Sequence, residues 1–110
     1  MIEKILLDYL IDQKLTVYME QPKVKPDSFY LMEKTAGGQT DKVNTSTIVI
    51  QSYADTLYNA AVMNEAIKLV MAEAITLDEV SRVELNSDYN YTDPTTKQYR
   101  YQAVFVVTHY

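Results

Sequence analysis

The chain offers little from which to build chemistry. It has one histidine, His109, no cysteine, and ten tyrosines among 110 residues. Without cysteine or a second histidine there is no Cys/His nucleophile pair and no disulfide, and zinc would lack its usual ligands. A serine nucleophile served by His109 has no Gly-x-Ser-x-Gly turn to present it. Carboxylates remain. Asp78 and Glu79 are adjacent, and Asp88 and Asp93 flank a turn. Two such acids, joined by Glu84, could hold Mg²⁺ or act as acid and base. But Asp93 precedes Pro94, which is ordinary turn chemistry, and Asp88 falls on the polar register of an alternating strand. Ala36-Gly37-Gly38-Gln39 lacks the spaced glycines, the Lys-Ser/Thr and the following helix of a phosphate loop. The reading therefore assigns no catalytic residue, no metal ligand, no cofactor and no small-molecule substrate, and expects a protein that is not an enzyme.

The tyrosines cluster in residues 89–102, Tyr-Asn-Tyr-Thr-Asp-Pro-Thr-Thr-Lys-Gln-Tyr-Arg-Tyr-Gln. They are either a stacking platform or the frame of a hairpin. From Ser81 the odd positions read Ser, Val, Leu, Ser, Tyr, Tyr and the even ones Arg, Glu, Asn, Asp, Asn, a period of two. Beyond the turn the odd positions are Tyr99, Tyr101, Ala103, Phe105 and Val107. A hairpin centred on Thr95 sets Tyr91 against Tyr99, Tyr89 against Tyr101, Ser87 against Ala103, Leu85 against Phe105 and Val83 against Val107. The expectation is two structural aromatic pairs, Tyr91/Tyr99 and Tyr89/Tyr101. Arg100 lies on the polar hairpin face beside Asn90, solvated, paired with an acid or bridging to another subunit.

The elements that would carry these residues follow from periodicity. Ile2, Ile5, Leu6, Tyr9 and Leu10 recur at helical spacing. Acids inside this apolar run argue against a signal peptide. Leu-Thr-Val-Tyr-Met-Glu is rich in strand formers and is stopped by Pro22. A linker with Pro22 and Pro26 follows. Ser-Phe-Tyr-Leu-Met-Glu-Lys reads as a second strand, and Thr35–Asn44, with the only two glycines, as a turn or mobile loop tip. Thr-Ser-Thr-Ile-Val-Ile-Gln-Ser-Tyr reads as a third strand. A helix from about Asp55 to Ala74 presents Leu57, Ala60, Ala61, Ile67, Val70, Met71 and Ala74, with Asp55 or Thr56 as its cap. The order is α-β-β-β-α-β-β in one domain, residues 1–110. The class is α+β, a mainly antiparallel sheet with two helices packed on one face. The other face turns apolar at Val104 and Val106, which points to a second covered surface. The 47% hydrophobic content allows a core, and no apolar run reaches membrane-span length. The net charge of −5, with no cluster of cations, argues against a surface that grips nucleic acid.

Three stretches in this order carry a resemblance: Pro-Lys-Val-Lys-Pro-Asp-Ser-Phe-Tyr-Leu-Met-Glu-Lys-Thr-Ala-Gly-Gly, Ile-Val-Ile-Gln-Ser-Tyr-Ala-Asp-Thr-Leu-Tyr-Asn-Ala-Ala-Val-Met-Asn-Glu-Ala-Ile, and Asp-Pro-Thr-Thr-Lys-Gln-Tyr-Arg-Tyr-Gln-Ala-Val-Phe-Val-Val-Thr-His. They span most of residues 22–108. The chain resembles the tail terminator (tail-completion) proteins, minor tail or minor capsid-type parts that join head to tail in long-tailed bacteriophages and prophages. The resemblance implies a hexameric ring that stops tail-tube polymerisation and meets the head connector. It implies DNA passing through the lumen, no membrane, and a life in the host bacterial cytoplasm and then in the virion. By the same resemblance Gly37, Gly38 and Gln39 form a docking loop, and Asp93, Pro94 and Lys97 an exposed tip, with Arg100 beside it. The alternative reading is a small bacterial ligand- or protein-binding α+β domain with a pocket between the 55–74 helix and the sheet.

Overall fold

The computed structural model describes residues 1–96 and 98–110. Helix α1 (Ile2–Asp12) leads to strands β1 (Val17–Tyr18), β2 (Phe29–Thr40) and β3 (Val43–Ala54). Helix α2 (Leu57–Ala72) runs on into a 3₁₀ turn, Glu73–Thr76, before β4 (Val80–Asn90) and β5 (Tyr99–His109). The five strands lie in the order β1-β2-β3-β5-β4, all antiparallel except the short β1 beside β2. The protein is α+β, with the element order the periodicity predicts.

Both helices cover one face of the sheet. Ile2, Leu6 and Leu10 of α1 and Ile67 and Met71 of α2 share a core with Met32, Ile48, Ile50, Ala103, Phe105 and Val107. Side chains four apart on α1 meet the sheet because that spacing keeps them on one stripe. Two tyrosine hydroxyls tie these elements together: Tyr9 joins α1 to α2, donating to the Val70 carbonyl at 2.7 Å, and Tyr30 joins the sheet to α2, donating to the Met63 carbonyl at 3.0 Å. Burial raises both phenol pKa values, with the Glu73 charge adding to the effect at Tyr9. Thr56 caps α2, its Oγ1 accepting from the Asn59 N–H at 3.1 Å. The buried face of α2 is Ala60, Asn64, Ile67 and Met71. Leu57, expected inside, is exposed in the first turn, whereas polar Asn64 is inside.

Two departures from the sequence reading matter for function. Thr35–Asn44 is not a loop. β2 and β3 pair as far as Thr40 with Val43, and the turn is Asp41-Lys42, both with positive φ (52° and 68°). That is the signature of a tight hairpin turn whose twist matches the strands. Gly37 and Gly38 sit within β2, neither with positive φ, because the hairpin closes three residues later.

The second departure is the register of β4 against β5. Val83 faces Val107 and Leu85 faces Phe105, as alternation predicts. An irregularity between Leu85 and Ser87 then inserts one residue, so Ser87 faces Val104, Asp88 faces Ala103, Tyr89 faces Gln102 and Asn90 faces Tyr101. The aromatic pairs Tyr89/Tyr101 and Tyr91/Tyr99 are therefore not formed. A bulge changes the face of every later residue. Asp88 turns toward the helices, and Tyr89 toward the opposite side.

Candidate assembly surfaces

The face away from the helices carries Arg82, Glu84 and Arg100 of the polar set that alternation singled out, but not Asp88, together with Gln51 and Gln102. At one end of β2 and β3 this face holds a small apolar cluster of Phe29, Leu31 and Tyr53, with Tyr18 against it. Phe29 stacks on Tyr53, with ring centroids 4.6 Å apart, and Tyr18 meets Phe29 edge-on at 5.8 Å. Gln21 from the proline-flanked linker reaches over and donates to the Tyr53 hydroxyl at 3.0 Å. From there a hydrogen-bonded row crosses the sheet. The Tyr53 hydroxyl donates to Gln51 Oε1 at 2.8 Å, Gln51 Nε2 donates to Gln102 Oε1 at 2.8 Å, and Gln102 Nε2 donates to the Tyr89 hydroxyl. The only sequence sign of this row was a glutamine placed among strand formers in each of two strands. Val104 and Val106, on the same face, are half-buried.

Arg100 ends this row. Its Nη1 donates to the Tyr53 hydroxyl at 3.0 Å and its Nε to the Tyr91 carbonyl at 2.7 Å. Its guanidinium lies 4.6 Å from the Tyr91 ring centroid and 5.6 Å from that of Tyr53. The sequence reading offered solvent, an acid or another subunit as its partner; within the chain, two tyrosines and a carbonyl take that place. Tyr91 meets Tyr89 edge-on at 5.9 Å. These tyrosines are thus neighbours at the end of β4 and partners of Arg100 and Gln102.

The Asp93-Pro94 turn lies past this end of the sheet. Asp93 Oδ1 accepts from the Thr95 N–H at 2.9 Å. That bond comes first among the causes holding its carboxyl below the usual range, Arg100 among the smaller ones. Lys97, expected at this tip, lies outside the described residues. Gly37, Gly38 and Gln39 lie at the other end. The rungs run Gln39–Asn44–His109–Val80 near one end and Phe29–Tyr53–Arg100 near the other. The two expected docking elements therefore do not converge, in a molecule 44 Å along its longest axis.

Asp88, Glu84 and Asp93 are engaged separately. Asp88 accepts from Asn64 Nδ2 at 2.9 Å and from Lys68 Nζ at 3.0 Å, while Glu65 takes a second Lys68 hydrogen bond at 2.9 Å. The Lys68 bond comes first in holding the Asp88 carboxyl below its ordinary value, and the Glu65 bond first in raising Lys68. Glu84 pairs with Arg82 at 3.1 Å on the exposed side of β4. Among the described residues no three acids or histidines cluster as metal ligands. His109 is buried, with Nε2 2.8 Å from Ser46 Oγ. Two shallow hollows flank α1. One, of about 220 Å³, is lined by residues that include Lys14, Phe29, Tyr30 and Met63; the other, of about 300 Å³, by residues that include Tyr9, Asp12 and Glu79.

What the fold leaves open is larger. β1 pairs with β2 only at Tyr30 and Leu31, so from Met32 to Thr40 the outer edge of β2 has no partner strand among the described residues. At the far side β4 is also an edge, and ten of its eleven residues are exposed or half-buried. On α2 the outward side carries Tyr58, Val62 and Leu69, exposed at 76, 49 and 73%, and Ile75 follows in the 3₁₀ turn. A helix apolar on both its sides has more apolar surface than one sheet covers.

No known protein family matches the chain, and no curated protein is similar to it. No helix among the described residues is long and apolar enough to cross a membrane.

Proposed function

We propose that this chain is a virion structural subunit that works by assembling with copies of itself, as a ring at the head–tail junction of a long-tailed bacteriophage. The ring ends tail-tube polymerisation and joins the tail to the head connector. Its partners are itself, the tube and the connector, with DNA only passing through the lumen. It acts in the host cytoplasm and then in the virion, and it needs no catalytic residue and no cofactor.

The observation that carries this reading is the pair of unpaired sheet edges on opposite sides of one small domain. A closed ring needs two different complementary surfaces per subunit, since a head-to-tail contact repeats only if each copy offers both halves. The β2 edge from Thr35 to Thr40, free of charge and proline, is open to pairing, and β4 offers the second edge. The outward apolar side of α2 adds a surface that a lone domain has no use for. The resemblance across residues 22–108 supplies the phage context. The experiment is a tube-growth assay: purified tail-tube protein polymerises with and without this chain, and tube lengths are measured by electron microscopy. The reading expects capped tubes of arrested length with density at one end. Tubes that grow equally long and bare at both ends would overturn it.

A further inference from the structure

We infer that neighbouring subunits join by continuing the β-sheet, the edge of β4 in one copy pairing with the Glu33–Thr40 edge of β2 in the next. This rests on the ring reading above and adds the contact that would build it.

Strand polarity allows it. β2 is antiparallel to β3, β3 to β5 and β5 to β4, so β4 runs antiparallel to β2. A second copy placed beside the first in the same orientation therefore sets β4 against β2 as an antiparallel pair. The alternation passes through the junction without a break.

The chemistry of the edges agrees. Natural sheets protect free edges with charge, proline or strong twist. From Thr35 to Thr40 the β2 edge reads Thr-Ala-Gly-Gly-Gln-Thr, without charge or proline, and its one irregularity falls at the start, between Lys34 and Ala36. The glycines have no reason inside the chain. Neither has positive φ, a Cβ on Gly38 would meet nothing within 4 Å, and one on Gly37 would meet the flexible end of Lys34 and, at an ordinary contact distance of 3.7 Å, the Thr45 carbonyl. Glycine weakens a strand, and its presence in one marks a place where another backbone approaches. β4 is less bare, with two register shifts, but its charges Arg82 and Glu84 pair with each other at 3.1 Å, and Leu85 is left 45% exposed on this outer strand.

The rungs predict the register. Gly38 pairs with Thr45, Thr45 with Thr108, and Thr108 with Arg82. Rotation about an axis along the strands carries that rung into the next copy, bringing Gly38 beside the exposed side chain of Arg82. The bare glycine leaves room for it.

The chain has no cysteine, which makes cross-linking unambiguous. Gly38→Cys, Arg82→Cys and the double variant are treated with a short bis-maleimide, run on denaturing gels, and checked for native circular dichroism and for mass in solution with and without tail tubes. The expected result is a ladder up to the closed ring for the double variant and loss of that ladder in either single one. Dimers from Gly38→Cys alone would mean that like edges pair, which overturns the inference. An oligomer by mass that none of the variants cross-links would place the interface elsewhere, overturning the inference and leaving the ring reading standing. A chain that stays monomeric with tubes present and does not cross-link would overturn both.

Discussion

Asp88→Ala tests the feature of this fold that simple alternation misses. The bulge after Leu85 turns Asp88 toward α2, where it accepts from Lys68 at 3.0 Å and from Asn64 at 2.9 Å. Asn64 is 1% exposed, and its Oδ1 has no partner. Removing the carboxylate leaves Nδ2 of Asn64 unsatisfied as well and strips Lys68 of one of its two acids. A hydrogen bond to a charged group contributes about 1.5–3 kcal/mol, and an orphaned buried donor costs a similar amount. The Asp88 and Lys68 side chains are 29 and 20% exposed, so solvent screens part of this. The expected loss is about 2 kcal/mol, seen as a lower denaturation midpoint at unchanged slope and a fall in Tm on the order of 8 °C. Asp88→Asn keeps the shape and loses the charge, and should cost about half as much. The pH dependence has a definite sign. The Asp88 pKa is lowered in the folded protein. Its contribution is therefore complete above the unfolded carboxylate value of about 3.9 and disappears as pH falls through the folded value. The Lys68 pKa is raised, so its share is complete below about 10.4 and is lost as pH rises through the folded value. The difference between wild type and Asp88→Ala should be flat across neutral pH and shrink in acid. A cost within about 0.5 kcal/mol, the range of an ordinary surface substitution, would refute the bulge, because unbulged alternation puts Asp88 on the side away from α2.

Other outcomes follow from named contacts. Tyr89→Ala and Tyr101→Ala should be additive within about 0.5 kcal/mol, since the shifted register places them on opposite faces. Tyr89→Ala and Gln102→Ala, whose side chains are hydrogen-bonded, should couple by about 0.5 kcal/mol or more in a double-mutant cycle. Replacing Asp41-Lys42 with Asn-Gly should stabilise the protein by about 0.5–1 kcal/mol in chemical denaturation, because both positions already have positive φ. Thr56→Ala removes the cap of α2 and should cost about 1 kcal/mol by the same measurement.

Much of the fold was legible because it rests on periodicity. Ile2, Leu6 and Leu10 announced α1, and alternation in β4 and β5 placed Leu85 against Phe105. What was hidden came from single-residue events. One extra residue after Leu85 leaves composition and pattern almost unchanged yet reverses the faces of Asp88 and Tyr89. Gly37 and Gly38 looked like the turn because glycine usually supplies positive φ; here Asp41 and Lys42 do so, and Asp is among the residues that tolerate it. Asn64 was not among the residues expected on the buried side of α2, because its partner, Asp88, comes from a strand 24 residues later. The surfaces were harder still. A free edge is a property of what does not pair with it, and no residue type encodes that. The outward apolar side of α2 was masked because its inward side is apolar too.

The central claim is that this domain is one part of a self-assembled ring. It is tested most directly by the mass of the protein in solution, by light scattering coupled to size exclusion over a concentration series, alone and with purified tail tubes. A ring requires a species of six chains, formed either alone or on contact with a tube end. A monomer at every concentration that remains a monomer beside tubes would contradict it.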